Sequence, residues 1–331
     1  MAGGKERILR RRIKSVQSTK KITKAMELIA ASRIVKAQQR VAAARPYSEQ
    51  ITEVIRSLAA GGAELTHPLL GDPENVGKVA FVVITADRGL AGAYNSNVIR
   101  AAERTLKAEQ EKGRDYSLVL AGKKGESYFR FRGYDIDATF SGMSEQPTYE
   151  NAREVAAVVT KAFEDGEVGL VYLVYTQFLS AGTQKVQVRR FMPLDQATLD
   201  DAPAGDGPQA AYEFEPGPGE ILERLLPRYV EARLFAAMLD AAASEHAARQ
   251  RAMKSATDNA EELITKLSRI MNRARQETIT TEIMEIAGGA EALRKGKSDG
   301  VDYLPDNIVS GDVLPDILDP SNRKKKRAHQ S

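Results

Sequence analysis

Sixty consecutive residues, from Arg228 to Ala287, contain neither proline nor glycine. At about 1.5 Å of rise per residue, a helix through that run would extend roughly 90 Å, far more than the three turns of an average globular helix. Apolar and small residues at Ala232, Ala236, Leu239, Ala243 and Ala247, and then at Leu263, Leu267, Ile270 and Ala274, recur at steps of four and three. That periodicity predicts a helix with one buried stripe.

A second such helix is expected at the other end of the chain. Residues 5–60 lack glycine and hold one proline, Pro46. Met26, Ala30, Ile34, Ala37, Val41 and Ala44 repeat the same spacing. Alanine-rich stripes at both ends of one chain allow two helices to approach closely and wind on each other as a left-handed antiparallel coiled coil. Gly61 and Gly62 are expected to stop the first helix, and His67 to Val76 reads as a linker.

Between Lys78 and Leu194 the pattern changes. Short apolar runs, KVAFVVI, YSLVLAG, YDIDATF, GLVYLVY and KVQVRRF, alternate with amphipathic stretches over Asn95–Lys112, Lys123–Phe131 and Thr148–Phe163. Strands alternating with helices predict a small α/β domain with a largely parallel sheet, and a turn at Ser180–Gly182 adds a hairpin. Asp195–Gly219, rich in Asp, Pro, Gly and Ala, reads as an exposed connection. The C-terminal stripe slips after Ala274: the step to Ile279 is five, and then Ile279, Ile283, Ile286, Ala290 and Leu293 resume fours and threes. The last turns are therefore expected to face something other than the N-terminal helix.

Composition narrows the chemistry. With 42% hydrophobic residues in 331, the chain can bury a sizeable core. It has no cysteine, which excludes disulfides, thiolate metal sites and a Cys nucleophile. Its three histidines, His67, His246 and His329, stand singly, with no second ligand at helical or loop spacing, so no metal site is expected. No apolar run approaches membrane-spanning length, and no hydrophobic segment follows the basic start, so a chain without a secretory signal in the cytoplasm is expected. Residues 1–45 hold thirteen Lys or Arg and two Glu, a balance of +11, whereas the remaining 35 basic and 43 acidic residues leave −8. A basic arm suits phosphates or an acidic protein partner. It lacks the aromatic interleaving of single-strand binders and any zinc or helix-turn-helix signal, and nucleic acid is not the expected partner.

TADRGLAGAYN, Thr85–Asn95, follows a predicted strand and opens a helix, as phosphate loops do. It has neither the GxGxxG of a dinucleotide fold nor the GK[ST] of a P-loop, so the simpler reading is a turn in which Asp87 and Arg88 are fixed by local hydrogen bonds. A nucleotide-dependent enzyme using the helices as a dimerisation arm is the main rival reading, and the missing phosphate loop weighs against it. No catalytic residue, cofactor or metal ligand is identified.

The stretch RRRIKSVQSTKKITKAMELIAASRIVKAQ (Arg10–Gln38), the central TADRGLAGAYN, and the C-terminal SEHAARQRAMKSATDNAEELI and NRARQETITTEIMEIAGGAEAL resemble the γ subunits of F-type ATP synthases. The resemblance covers residues 1–293, and its motif Ile279–Ala292 is highly specific. It implies a non-catalytic rotating shaft: a long antiparallel coiled coil with an inserted Rossmann-like α/β domain. That shaft would turn inside a ring of three α and three β subunits, above an ε subunit and a c-ring, at the cytoplasmic face of a bacterial membrane. The corresponding regions are residues 1–62 and 220–293 for the helices, 63–219 for the inserted domain with its connection, and 294–331 for a tail expected to be disordered.

Carried over by motif, Arg275 and Gln276 resemble residues that engage a β-subunit loop near the upper shaft, with Thr280 and Glu282 in support. Arg249 resembles a second contact to an acidic residue of β. Met26 matches a shaft methionine facing β's acidic lever loop, with Arg33 and Lys36 toward the same loop. Phe214 and Glu215, in YEFEPGPGE, resemble the foot that rests on ε and the c-ring. Two departures stand out: Asp200–Gly207 lengthens the connection before the foot, and Arg294–Ser331 continues past the family's usual end.

Overall fold

The computed structural model describes residues 2–60, 76–194 and 217–298. Phe214, Glu215, Gly61 and Gly62, residues 67–75 of the expected linker, residues 195–216 of the connection and the tail beyond Ser298 lie outside the described residues. The chain divides into two units, one of residues 7–270 and one formed by residues 1–6 with 271–331.

The elements run α1 (Ala2–Ala60), β1 (Lys78–Ile84), α2 (Tyr94–Glu111), β2 (Asp115–Ala121), α3 (Lys123–Phe131), β3 (Ala138–Phe140), α4 (Tyr149–Glu164), β4 (Leu170–Phe178), β5 (Gln184–Met192) and α5 (Pro218–Ser298). α5 is 81 residues long and passes through Pro227, and α1 passes through Pro46. Each proline removes one main-chain donor from its helix. Packing of the buried stripes, rather than propensity, sustains helices of this length.

The five strands lie in the order β3-β2-β1-β4-β5, with β1, β2, β3 and β4 parallel and β5 antiparallel to β4. YDIDATF yields only three strand residues. The Asp137 carboxylate accepts from the Leu118 amide at 2.9 Å and from the Ser117 hydroxyl at 2.7 Å, while the Asp135 amide donates to the Tyr116 hydroxyl at 3.1 Å. The Asp137 amide also donates to the Leu118 carbonyl at 3.0 Å, so side-chain bonds supplement a single main-chain bond at the start of β3. On α4, Thr148 caps the first turn and exchanges hydrogen bonds with Asn151 in a capping box.

One face of the sheet, with Val79, Phe81, Val83, Leu118 and Leu120, packs on α2 and α3. The other, with Ala80, Val82, Val119, Val171 and Leu173, packs on α4 and on the domain ends of the two long helices, including Ile51, Ile55 and Leu58 of α1 and Leu222, Leu226, Tyr229 and Val230 of α5. The helices are therefore a wall of the domain's core as well as a rod leaving it.

Within residues 7–270 the two helices run antiparallel. The Thr23 and Thr257 hydroxyls are 2.8 Å apart and buried, and one turn farther on Lys20 pairs with Glu261 at 3.0 Å. Ala30, Ile34 and Ala37 are buried, as the N-terminal stripe requires, and so are Ala232, Leu239, Ala243 and Ala247. The next part of the C-terminal stripe differs from expectation. Leu263 and Ile270 are 37% and 46% exposed, and the buried positions are Met253, Thr257, Ala260 and Leu267. The seam admits a polar residue because Thr257 finds Thr23 across it and also donates to the Met253 carbonyl at 2.8 Å. A reading that follows only apolar side chains steps over Thr257 and moves one position off the seam.

Candidate functional site: the shaft and its junction with the α/β domain

In a sheet of this order, β1 is followed in space by β2 on one side and β4 on the other. The crevice at the carboxyl ends of β1 and β4 is where such folds receive ligands. Here α5 occupies it. Ala86, Ala91 and Tyr94 of the segment after β1 cluster with Ala248 of α5, and Tyr94 is 6% exposed. The cavity left beside Ile84, Thr85, Tyr94 and Met238 measures about 10 Å³, room for a water at most. The segment that most resembles a phosphate loop is thus a docking surface for the protein's own helix.

Its internal bonds explain its sequence. Asp87 accepts from the amides of Lys123 (3.2 Å), Gly142 (2.9 Å) and Ser144 (3.1 Å), and its own amide donates to the Ser144 hydroxyl at 2.9 Å. The expected fixing of Asp87 and Arg88 by hydrogen bonds is found, but the partners come from loops 36 to 57 positions away rather than from the turn itself. Gly92 has φ +57° and Gly122 φ +106°; a β-carbon at Gly122 would stand 2.2 Å from the Thr85 carbonyl oxygen, so only glycine lets those strands' ends approach.

Charged residues bind the shaft to this platform. Glu145 pairs with Arg33 of α1 and, at 3.3 Å, with Arg88 of the segment after β1, while its carbonyl oxygen lies 3.3 Å from Nε2 of His246 on α5. One loop residue therefore ties three elements. Arg249, 7% exposed, donates to Glu245 at 2.5 Å, and Glu245 is fully buried. Burial pushes the Glu245 carboxyl up, against the pull of Arg249, and pushes the His246 imidazole down. The Tyr94 hydroxyl is raised well above its usual range by burial, with Glu245 adding to the effect. On either side of this pair along α5, Ser244 donates to the Thr176 carbonyl at 3.1 Å, Arg251 to the Gly182 carbonyl at 2.6 Å, and Tyr149 to Glu231 at 2.7 Å.

The residues singled out from the sequence divide into three sets. Arg33 and Arg249 are brought into this junction, where their guanidinium groups meet acids of the same chain. Met26 is half-buried and Lys36 exposed on α1. Arg275, Gln276, Thr280 and Glu282 are all exposed on α5; Thr280 donates to the Gln276 carbonyl at 2.9 Å, and Arg275 and Glu282 lie two turns apart on the neighbouring stripe. Among and beyond them Ile279, Ile283, Ile286 and Leu293 are 45%, 61%, 73% and 77% exposed. Sequence reasoning missed Glu145, Tyr94 and Glu245. The four-residue spacing of Glu245 and Arg249 was a legible signal for a helical ion pair; nothing in the sequence marks Glu145.

A long two-helix rod wedged into a small α/β domain, with its ligand crevice filled from within, has the build of a mechanical or scaffolding subunit. No group of His, Asp and Glu among the described residues could hold a metal ion, and no described helix is long and apolar enough to cross a membrane. The family model for ATP synthase matches residues 5–293, and the residues after 293 lie beyond that match. The ATP synthase gamma chain of Frankia casuarinae is 52% identical over 297 residues, covering 88% of this chain and 99% of that one. That of a Nocardioides species is 49% identical over 288 residues, covering 86% and 95%. Among solved structures, a chain of the Euglena gracilis mitochondrial ATP synthase superposes with a TM-score of 0.63 at 19% identity, over 92% of this chain and 99% of that chain. A chain of the central stalk and c-ring structure from Tetrahymena thermophila gives 0.54 at 21% identity, over 71% and 99%. The chain belongs to the ATP synthase gamma-chain family, and is a non-catalytic subunit of the central stalk.

Proposed function

We propose that this chain is the rotating shaft that couples proton flow through a c-ring to ATP synthesis at sites held by β subunits. The observation that carries the proposal is the single 81-residue helix α5, paired antiparallel with α1 and fixed to the α/β domain by bonds to the carbonyls of Glu145, Gly89 and Gly182 from His246, Arg249 and Arg251. Two wound helices resist twisting better than one, and a rod bonded to its platform at several points turns with it. Three α and three β subunits form the surrounding ring, and ε and the c-ring lie at the foot, on the cytoplasmic face of a bacterial membrane that the chain meets only through the c-ring.

Met26, Lys36, Arg275, Gln276, Thr280 and Glu282 face the stator. Exposed polar groups suit contacts that must break and re-form on every turn, because exposed ion pairs contribute at most about 1 kcal/mol each. Arg33 and Arg249 reach a stator acid only by exchanging Glu145 or Glu245 for it. Phe214 and Glu215 meet ε and the c-ring on the resemblance alone. Ile279, Ile283, Ile286 and Leu293 supply the apolar surface for a bearing in the ring. An asymmetric shaft interacts differently with each β subunit, so turning it shifts their conformational populations in sequence.

Reconstitution with α and β subunits tests the proposal. The expected result is a stable complex with cooperative ATPase activity; a chain that neither co-purifies with them nor changes turnover contradicts it.

A further inference from the structure

A second cavity lies on the opposite side of α5 from the filled crevice. It measures about 260 Å³ and opens between α1, α5 and the β4–β5 hairpin. Three arginines from three elements border it, Arg45 of α1, Arg189 of β5 and Arg233 of α5, with Glu49 of α1, Gln177 of β4 and Asp240 of α5. Arg233 is held in place: its guanidinium lies over the Tyr229 ring, 5.5 Å from the centroid, and donates to the Tyr229 hydroxyl at 3.1 Å. Arg189 and Asp240 are half-buried, whereas Arg45 and Glu49 stand exposed at the rim. The rotor function uses none of these residues.

We infer that this cleft is a binding site for a tetrahedral dianion of the phosphate class, gripped by Arg45, Arg189 and Arg233, with Asp240 as a hydrogen-bond partner at its inner wall. A water molecule occupies about 30 Å³ of liquid, so the volume accommodates such an anion with part of its hydration. The planar guanidinium forks are suited to oxyanions, and the three border one cleft from three different elements. Asp240 sets the charge balance. Burial pushes its carboxyl up to about 7, although Arg45 and Arg189 act to lower it. Protonation of Asp240 removes one negative charge from the cleft and offers the anion an O–H donor. Anion uptake is thereby linked to proton uptake at Asp240.

Titration calorimetry on the full chain at fixed ionic strength tests this, with sulfate as the probe because it keeps both charges throughout the range. One saturable site is expected. Binding that requires protonated Asp240 is about tenfold tighter at pH 6 than at pH 8, from the change in protonated fraction around a value near 7. Arg189→Gln should weaken sulfate binding at least tenfold, with the helical circular dichroism unchanged. Asp240→Asn, which mimics the neutral acid, should retain binding and lose its pH dependence, and it carries the test independently of how well Arg189→Gln folds. Parallel titrations with inorganic phosphate and with ADP identify the source of the anion: equal affinities mark a free-anion site, and tighter ADP binding marks a site for the phosphate end of a nucleotide. Absence of saturable sulfate binding, unchanged binding in Arg189→Gln, or a pH dependence that survives in Asp240→Asn overturns the inference.

Discussion

Removing the Arg249 guanidinium by Arg249→Ala would leave the Glu245 carboxylate without a cation in the junction, with only the Ser144 hydroxyl to stabilise its charge. The side chains of the pair are 8% and 1% exposed, so solvent screening does little to lessen the penalty. Breaking a buried pair from one side costs about 3–5 kcal/mol, mostly the cost of the charge left behind. At about 2 °C per kcal/mol for a domain of this size, the melting temperature of the full chain should fall by at least roughly 6 °C at pH 7. The pH dependence has a definite sign. Burial raises the folded-state pKa of Glu245 above its unfolded value, and deletion of Arg249 removes the largest influence opposing that rise. At Glu245 the folded variant then binds more protons than the unfolded chain, so the variant's deficit relative to wild type narrows as the pH falls from 7 toward 5. Thermal unfolding followed by circular dichroism at both pH values measures the effect. Replacing both residues by methionine should recover most of the loss, since apolar pairs of similar volume substitute well for buried ion pairs. A melting point within 1 °C or so of wild type, or a loss independent of pH, would refute the reasoning. The double variant also separates roles: if it folds normally yet couples poorly, Arg249 additionally serves a stator contact.

Three further outcomes are expected. Thr257→Val alone should cost about 1 kcal/mol by denying Thr23 its partner across the seam, while Thr23→Val with Thr257→Val should cost less than twice that, measured by urea unfolding as a double-mutant cycle. Asp87→Ala removes the acceptor for three main-chain amides and should lower stability by roughly 2 kcal/mol or more, with faster proteolysis in the loops at Lys123 and Gly142. The Glu103 carboxyl is partly buried, which opposes ionisation, yet hydrogen bonds from Tyr128, Tyr134, Arg132 and Lys107 bring it down to about 2. Its contribution is complete above the normal carboxylate range and is lost as the pH falls through about 2, so the stability gap between wild type and Glu103→Gln should narrow steadily from pH 5 downward.

The architecture was legible because its two kinds of periodicity do not overlap. The glycine-free and proline-poor termini read as helices, and the short β-rich runs between them read as strands, within one or two residues for β1, β2 and β5. Two features were not legible for physical reasons. β3 is only three residues long, and the run before it is held by Asp135 and Asp137 through bonds that depend on Tyr116, Ser117 and Leu118 of a neighbouring strand. Thr257 belongs to the seam because of a hydroxyl 234 positions away, which no local pattern reports. For the site, Arg33 and Arg249 were recognisable as important cations, but Glu145 and Glu245, which hold them, become visible only when loop, strand end and helix are brought together. The nucleotide-like loop is the converse case: its sequence resembles a ligand turn, and three-dimensional packing assigns it to α5.

The central claim, that this chain carries torque, is tested most directly by watching it turn. With α and β subunits immobilised and a bead fixed to the α/β domain, ATP should drive sustained stepwise rotation in one direction, weakened by Arg275→Ala with Gln276→Ala. A bead that only fluctuates about one angle while the complex hydrolyses ATP would contradict the account.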